Sequence, residues 1–523
     1  MICRFKWAGV VVLLGYLFIA SVSMSALLIG RYFDPNIGSN RKTSKESDAT
    51  SSAHTLLSKV KVEPYTLVLE DIEYKIGEKK VLQGVSAVAE PGTLVCVMGP
   101  SGAGKSTLLD AIISRKTVGS VSGKVLLNGQ STSLNFLRRV SSYVEQQDSH
   151  LPYLTVFESL LYAAELRLDP SLPREEYVEK ILDMIELRPL KHKLVGDPSE
   201  NSQALSPSER KRLSIGVELT SNPSILLLDE PTTGLNFRDG MKVMKVIRQI
   251  AATGRTVLCS IHQPSEEVFW LFDVALILQS GGYQVYFGDV GKSVKYFKDM
   301  GVDGPKTGIN PADWLMDTVS VAQDIWQLNL SAQYLDSELH QRVERQIEDW
   351  IEKGQLAESQ DDSPYRRSWT AQLSILLRRS YTSYFRNVSY NWGRIFITAV
   401  FSFIMGIFFL NTGESVDDIA GVRSVASILF VPLSAAIILN TPQSLEHMAS
   451  EKPIYYRETT SHMYTATSYC ISQTLAELPY CAIISVTTIT PVYFMVRPFQ
   501  IFARYHFSIF VVQFIVDTGR HEQ

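Results

Sequence analysis

The 523-residue chain is short of cysteine and of net charge, and each shortage narrows what it can be. Its five cysteines, Cys3, Cys96, Cys259, Cys470 and Cys481, form no CxxC pair and no zinc-ligand cluster. That excludes a disulfide scaffold and fits a reduced, cytosolic body. The formal net charge is only -4. A general nucleic-acid binder needs a basic face, so nucleic acid is not an expected partner. Internal repeats are absent too. Apolar residues, in contrast, make up 45% of the chain, and they are spread unevenly.

The apolar residues fall in zones. Residues Trp7 to Ile29 are almost wholly apolar, a long middle reads as soluble, and long apolar stretches return from about Ile395. About 20 apolar residues span a bilayer. The expected organisation is a hydrophobic anchor or signal-like segment at 1–30, a flexible linker at 31–62 and a soluble domain at 63–320. A helical linker with a membrane-surface connecting helix follows at 321–390, and an incomplete transmembrane domain at 391–523. For the first segment three readings stay open: an anchor, a cleaved signal, or an artefact of the assigned start. Its apolar run exceeds the usual h-region of about 7–15 residues. As an anchor it would put its N-terminus outside, because no second apolar span lies before a domain that must stay in the cytosol; Arg31, Arg41, Lys42 and Lys45, outnumbering Arg4 and Lys6, agree weakly.

In the soluble part, Thr66–Glu70, Val81–Val88 and Leu94–Met98 read as strands and Leu108–Ser114 as the start of a helix. Strands and helices then alternate to about Gly288, which indicates an α/β fold. Between the third strand and the helix lies Gly99-Pro100-Ser101-Gly102-Ala103-Gly104-Lys105-Ser106-Thr107, a match to G-x-x-x-x-G-K-[ST]. Small residues let the backbone fold tightly, so several N–H groups converge on one phosphate chain. The following helix adds its N-terminal partial charge. Lys105 suits the outer phosphates of ATP, and Ser106 suits Mg²⁺.

Ile225-Leu226-Leu227-Leu228-Asp229-Glu230 reads as a buried strand with two acids at its end. Asp229 suits the Mg²⁺ shell. Glu230 suits the general base that orients the attacking water. His262 alone could be an ordinary loop histidine, and Gln146 alone a surface glutamine.

Three further segments give these residues a setting. Ser260-Ile261-His262-Gln263-Pro264 resembles the switch-histidine segment of ABC ATPases. Tyr143 to Asp148, with Leu154-Thr155-Val156 and Glu158 behind it, resembles the Q-loop. Leu205 to Gly216 stands where the ABC signature belongs. The details are similar to the G subfamily, the white/brown or pleiotropic-drug-resistance type: the run Glu209-Arg210-Lys211-Arg212-Leu213-Ser214, then Asn310-Pro311-Ala312-Asp313-Trp314, Tyr456-Arg457-Glu458 and Glu477-Leu478-Pro479.

This resemblance implies an ABC ATPase of the P-loop NTPase fold followed by an α-helical, ABC-2 type membrane domain. It implies an integral membrane half-transporter with its ATPase in the cytosol. That subunit would dimerise with a second half-transporter, the same or different, contact membrane lipid, and export lipids or other hydrophobic compounds at the expense of ATP and Mg²⁺. Catalysis would involve Glu230, His262 and Gln146. ATP would lie on the loop Gly99–Thr107, Mg²⁺ on Ser106, Gln146 and Asp229, and the partner's nucleotide against Ser206, Pro207, Ser208 and Glu209.

Three departures qualify that expectation. The family's Ser-Gly-Gly is Ser206-Pro207-Ser208 here. Proline has no N–H, and serine lacks glycine's conformational freedom. Asn236 stands where the family usually has Asp. The third is length: the family has six membrane helices, whereas apolar segments occur here at about Ile395–Leu410, Val425–Leu439, Tyr480–Val496 and the short Phe507–Val516. A truncated product, or a regulatory subunit that binds ATP without transporting, is the alternative expectation. Tyr74 could stack on adenine or be a plain strand tyrosine. Glu477 could be a pathway residue or a helix-end acid. Helix 368–386, with Arg378, Arg379 and Arg386, is expected to lie on the cytosolic membrane face or to be an ordinary amphipathic surface helix.

Overall fold

The computed structural model describes residues 62–115, 118–198, 203–325, 329–354, 363–411 and 419–496. The N-terminal hydrophobic segment, the linker before 62 and the apolar run 507–516 lie outside the described residues.

Strands β1 (Leu67–Ile76) and β2 (Lys79–Ala89) form an antiparallel pair, and β3 (Leu94–Met98) runs into the Gly-rich loop and α1 (Lys105–Ile112). Next come β4 (Ser120–Leu127), β5 (Gln130–Ser131), α2 (Leu134–Val140), β6 (Ser141–Val144), α3 (Val156–Arg167), α4 (Arg174–Met184) and α5 (Pro207–Leu219). They lead to β7 (Ile225–Leu228), α6 (Phe237–Ala252), β8 (Thr256–Ser260), α7 (Glu266–Phe269), β9 (Val274–Gln279), β10 (Tyr283–Asp289) and α8 (Val290–Asp299). Helices α9 (Pro311–Ile325), α10 (Leu330–Leu335) and α11 (Glu338–Lys353) follow. The apolar half comprises α12 (Trp369–Arg386), α13 (Val388–Phe408), α14 (Ile419–Thr460) and α15 (Ala466–Val496).

One ten-stranded sheet runs in the order β5-β4-β1-β2-β10-β9-β3-β8-β7-β6. Strands β9, β3, β8, β7 and β6 are parallel neighbours, so their C-terminal ends share one edge. Apolar on both faces, these strands are buried on both. Leu94, Cys96 and Met98 of β3 join one core cluster, and Val95 and Val97 the other. Leu226 and Leu228 of β7 split from Ile225 and Leu227 in the same way. That is the period of two of a pleated strand.

The antiparallel strands meet the parallel ones at a single register pair, Tyr283 with Gln83. A side chain completes the seam. Gln284 Oε1 accepts the Ser86 N–H at 2.8 Å, and its Nε2 donates to the Ser86 carbonyl at 2.9 Å. Tyr74 is buried in this part of the core and donates its hydroxyl to the Val118 carbonyl. It is a strand tyrosine, and its burial rules out the adenine-stacking alternative. The soluble core also extends past the expected boundary at 320. Tyr334, Val343 and Ile347 of α10 and α11 pack into the sheet's core cluster.

In the apolar half, three helices stand where three apolar segments were expected, but longer; α14 alone has 42 residues. Among the described residues, Val388–Phe408 and Ala466–Val492 are long and apolar enough to cross a membrane. Helices α13 and α15 approach closely at Gly406, where a Cβ would come within 2.6 Å of Met495 Sδ. Pro479 sits inside α15 and has no N–H for the Leu475 carbonyl. Tyr381 of α12 supplies the missing donor, its hydroxyl 3.1 Å from that oxygen. Glu477 is interior to α15 rather than at its end. It is buried, accepts from Tyr390 Oη at 2.7 Å and pairs with Arg394 at 3.2 Å.

Candidate nucleotide site

Parallel strands bring four separate sequence segments to one edge. β3 delivers the Gly-rich loop, β7 delivers Asp229 and Glu230, β8 delivers Ser260 and His262, and β6 delivers Gln146. Such an edge is where open α/β sheets bind ligands. The loop is tight for identifiable reasons. Gly99 has φ 157°, and a Cβ there would lie 2.5 Å from the Leu278 carbonyl oxygen. Gly104 has φ 96° and would put its Cβ 2.8 Å from Leu82 Cδ2. Ser101 and Gly102 face outward, and Ala103 is buried. Lys105 opens α1 and curls back, donating to the carbonyls of Gly99 at 2.8 Å and Pro100 at 3.2 Å. Burial lowers its pKa from the ordinary lysine value, while the carboxylates of Glu230 and Asp229 oppose the shift.

Asp229 is the hub. Its Oδ1 accepts from Ser106 Oγ at 2.9 Å and from Ser260 Oγ at 2.6 Å, and its Oδ2 from Tyr143 Oη at 3.2 Å. Burial first, and Asp229 second, push the Tyr143 phenol well up, so it remains a donor. Glu230 has φ 44°, left-handed backbone that costs a non-glycine residue about 1–3 kcal/mol. Neighbours hold it there. Its N–H donates to Ser260 Oγ at 2.9 Å, and its Oε2 accepts from Gln146 Nε2 at 2.8 Å and Thr233 Oγ1 at 2.9 Å. Asp229, Glu230, Ser106 and Gln146 therefore meet. His262 does not join them. It stands exposed beyond β8, with no hydrogen bond among the described residues.

Mg²⁺ takes hard oxygen ligands and keeps several waters, with one or two protein carboxylates plus substrate phosphates. Ser106 Oγ and Asp229 Oδ1, 2.9 Å apart, fit that donor set. Phosphate and water oxygens would supply the other ligands. Gln146 has its amide nitrogen turned to Glu230.

The segment Ser206–Glu209 forms the start of α5. Ser206 is the N-cap in a reciprocal capping box with Glu209: Ser206 N–H to Glu209 Oε2 is 2.8 Å, and Glu209 N–H to Ser206 Oγ is 3.4 Å. Pro207 occupies the first helical turn, where a missing N–H costs the helix nothing. That same N–H would have been an outward donor. Ser208 is regular helix, so the expectation that this position needs glycine's freedom is corrected. Its Oγ is nevertheless buried without a hydrogen-bond partner. Asn236 caps α6, accepting the Asp239 N–H at 2.9 Å and donating Nδ2 to Asp239 Oδ2 at 2.8 Å.

Other residues that matter here were not singled out from sequence. Ser260 and Thr233 hold the two acids. Lys211 of α5, buried, donates to the carbonyls of Glu145 at 3.1 Å and Gln146 at 2.8 Å and pairs with Asp148 at 3.0 Å. From the apolar half, Arg457 donates to the Ser149 carbonyl. The basic residues of α12 do not reach outward as expected. They pair with protein acids: Arg386 with Glu158 at 2.6 Å, Arg379 with Glu458 at 2.8 Å, and Arg378 with Glu165. Glu158 and Glu165 lie on α3 and Glu458 on α14, so no local sequence signal pairs them with α12.

Known proteins resemble both halves of the chain. An ABC transporter profile matches residues 82–233, and two ABC-2 type transporter profiles match residues 371–518 and 262–334. ABC transporter G family member 42 of Arabidopsis thaliana is 36% identical over 495 residues, covering 91% of this chain and 35% of its own. Pleiotropic drug resistance protein 1 of Nicotiana tabacum is 34% identical over 447 residues, covering 81% and 31%. A solved nucleotide-free ATP-binding cassette from an ABC transporter aligns with 45% of this chain and 95% of its own, at 23% identity and TM-score 0.38. The chain spans about a third of the length of the curated relatives it matches.

Proposed function

Because this chain belongs to the ABC transporters of the G-family type, with an ATPase domain ahead of an ABC-2 membrane domain, we propose that it binds and hydrolyses Mg-ATP at the edge formed by β3, β6, β7 and β8. Paired with a second half-transporter, it would use that cycle to export lipids or other hydrophobic compounds, with the ATPase on the cytosolic side. The observation that carries this reading is the convergence of Ser106, Asp229, Glu230 and Gln146 from three strand ends.

Lys105 exchanges its two carbonyl partners for phosphate oxygens, supported by the loop N–H groups and the start of α1. Ser106 and Asp229 would hold Mg²⁺, which when bound neutralises charge on the β- and γ-phosphates. Glu230, oriented by Gln146 and Thr233, takes the proton of the attacking water. His262, free to approach, contacts the γ-phosphate. Ser206 and Glu209 meet the partner's ATP across the dimer.

A second reading has its own support. Pro207 removes one outward N–H at the start of α5. Such a subunit would cap its partner's nucleotide poorly and serve as the regulatory half of a heterodimer. The test for the main reading is nucleotide binding and phosphate release by the full chain in lipid. Lys105→Ala should weaken ATP binding about 10- to 150-fold. Glu230→Gln should leave binding intact and lower hydrolysis at least about 100-fold. Unchanged affinity in the first variant, or unchanged turnover in the second, refutes the assignment.

A further inference from the structure

Behind the candidate nucleotide site lies a second cavity, of about 60 Å³, where α1, α2, β6 and α5 meet the elbow between α14 and α15. At about 10–15 Å³ for each water centre, it holds a handful of waters or one tetrahedral oxyanion. Arg115 separates it from the acids of the sheet edge. Its guanidinium lies 4.3 Å from the centroid of the Tyr143 ring and also donates to Thr460 Oγ1 at 2.8 Å.

Among the described residues the cavity wall carries five arginines, one histidine and the carboxylate of Glu218, and Arg139 and Arg366 have partners of their own. Arg167 spends its charge on that carboxylate, Glu218, at 2.7 Å, and Arg115 pairs with Glu145 at 2.5 Å. Arg138 has no carboxylate partner among the described residues. It donates to the carbonyls of Ile113 at 3.0 Å and Ser114 at 2.5 Å, and faces His462 Nε2 at 3.1 Å. Burial and the neighbouring Arg115 both lower the Arg138 pKa, and burial and Arg138 lower that of His462. A neutral ring accepts from Arg138 but offers no countercharge. The floor of the cavity is also unsatisfied. Arg167 Nε and Glu218 Oε1 lack hydrogen-bond partners in residues only 6% and 2% exposed.

We propose that this cavity binds a phosphate-class oxyanion, at a site separate from the nucleotide. A dianion with one remaining hydroxyl supplies negative charge to Arg138, an acceptor to Arg167 Nε and a donor to Glu218 Oε1. Its position joins the elbow, through Thr460 and His462, to the far end of the phosphate-loop helix. Occupancy would therefore stiffen the joint between the membrane half and the ATPase.

The experiment is equilibrium binding of radiolabelled inorganic phosphate to the full chain in phosphatidylcholine discs without nucleotide. A Lys105→Ala background keeps the phosphate loop from contributing, and the result does not depend on ATP being hydrolysed. One saturable site should remain, weakened at least about tenfold by Arg138→Gln and substantially kept by Arg138→Lys. Should Arg138→Gln fail to fold, Asn135→Asp puts a repelling carboxylate in the wall. It does so in the first turn of α2, where negative charge favours the helix. It should weaken the site at least about tenfold as well. Discs containing phosphatidic acid distinguish the source: displacement of the label assigns the site to a lipid phosphate, and retention to a soluble phosphate ester. No saturable site in the Lys105→Ala protein, or a site indifferent to both Arg138→Gln and Asn135→Asp, overturns the proposal.

Discussion

Ser260 links the two acids: it donates to Asp229 and accepts the N–H of Glu230, which is itself held in left-handed backbone. Ser260→Ala removes both bonds while leaving every charge in place. The Glu230 carboxylate should lose its fixed direction, with ATPase activity falling about tenfold or more and nucleotide affinity nearly unchanged. A matched fall in affinity and turnover would assign Ser260 to binding instead. In the sequence, Ser260 was visible only as the first letter of the segment holding His262. Its partner lies 30 residues away on the neighbouring strand, and only strand order makes them adjacent. Lys105, Ser106 and Asp229 were legible because each carries its chemistry within a short run. The buried Ser208 hydroxyl was not: Ser206-x-x-Glu209 with Pro207 marks the helix start, but what covers the next side chain is set by distant parts of the chain.

Among the elements, α12 is where the soluble and apolar halves interlock. Burial raises the Glu158 carboxyl, but the bonds from Arg386 and the Thr155 N–H outweigh it and hold that group below the ordinary carboxylate range. A depressed carboxyl stabilises above its unfolded value, about 4.3, and loses that contribution as pH falls through the lowered folded value. Acidification below about pH 4.3 should thus loosen α12 from α3. The melting temperature of Glu158→Gln should fall less steeply than that of the parent over the same range. A second prediction concerns Pro479. Tyr381→Phe leaves the Leu475 carbonyl without a donor in an apolar setting, costing about 1–3 kcal/mol. Pro479→Ala restores the helical N–H, so the double variant should lose less than the sum of the two single ones. Strict additivity in thermal melts would refute the link. Sequence showed an amphipathic, basic helix but not that protein carboxylates, rather than lipid, receive its arginines, because pairing partners come from a distant part of the chain.

At the scale of the whole molecule, the question is whether two copies of this chain make a competent pair. A homodimer would put Pro207 and Ser208 in both sites. Pro207→Gly and Ser208→Gly with Asn236→Asp should raise homodimer phosphate release at least about tenfold, because a charge-assisted contact is worth about 1.5–3 kcal/mol. Asn236→Asp keeps the helix cap but replaces a bond to Asp239 with repulsion, an exposed and therefore minor cost. An unrepaired homodimer already as active would favour a plain homodimeric exporter. The α/β class and the succession of apolar helices were legible from periodicity and run length. The extension of the soluble core through α10 and α11 was not, since amphipathic helices look alike whichever surface they cover.

The seam at Gln284 has a bearing on how the sheet is joined. Along the parallel strands each residue's backbone bonds depend on its neighbours, so opening one tends to open the next. At the junction with β2 an amide side chain imitates a strand, meeting both backbone groups of Ser86. The clasp is itself buried and tied to Tyr334 Oη at 3.0 Å, and a backbone bond from the Gln83 N–H to the Gly282 carbonyl at 3.0 Å lies beside it. The antiparallel strands and the parallel ones, which carry the phosphate loop and the acids, are thus joined across one register pair and one side-chain clasp, so trimming the Gln284 amide would loosen this join without touching a site residue.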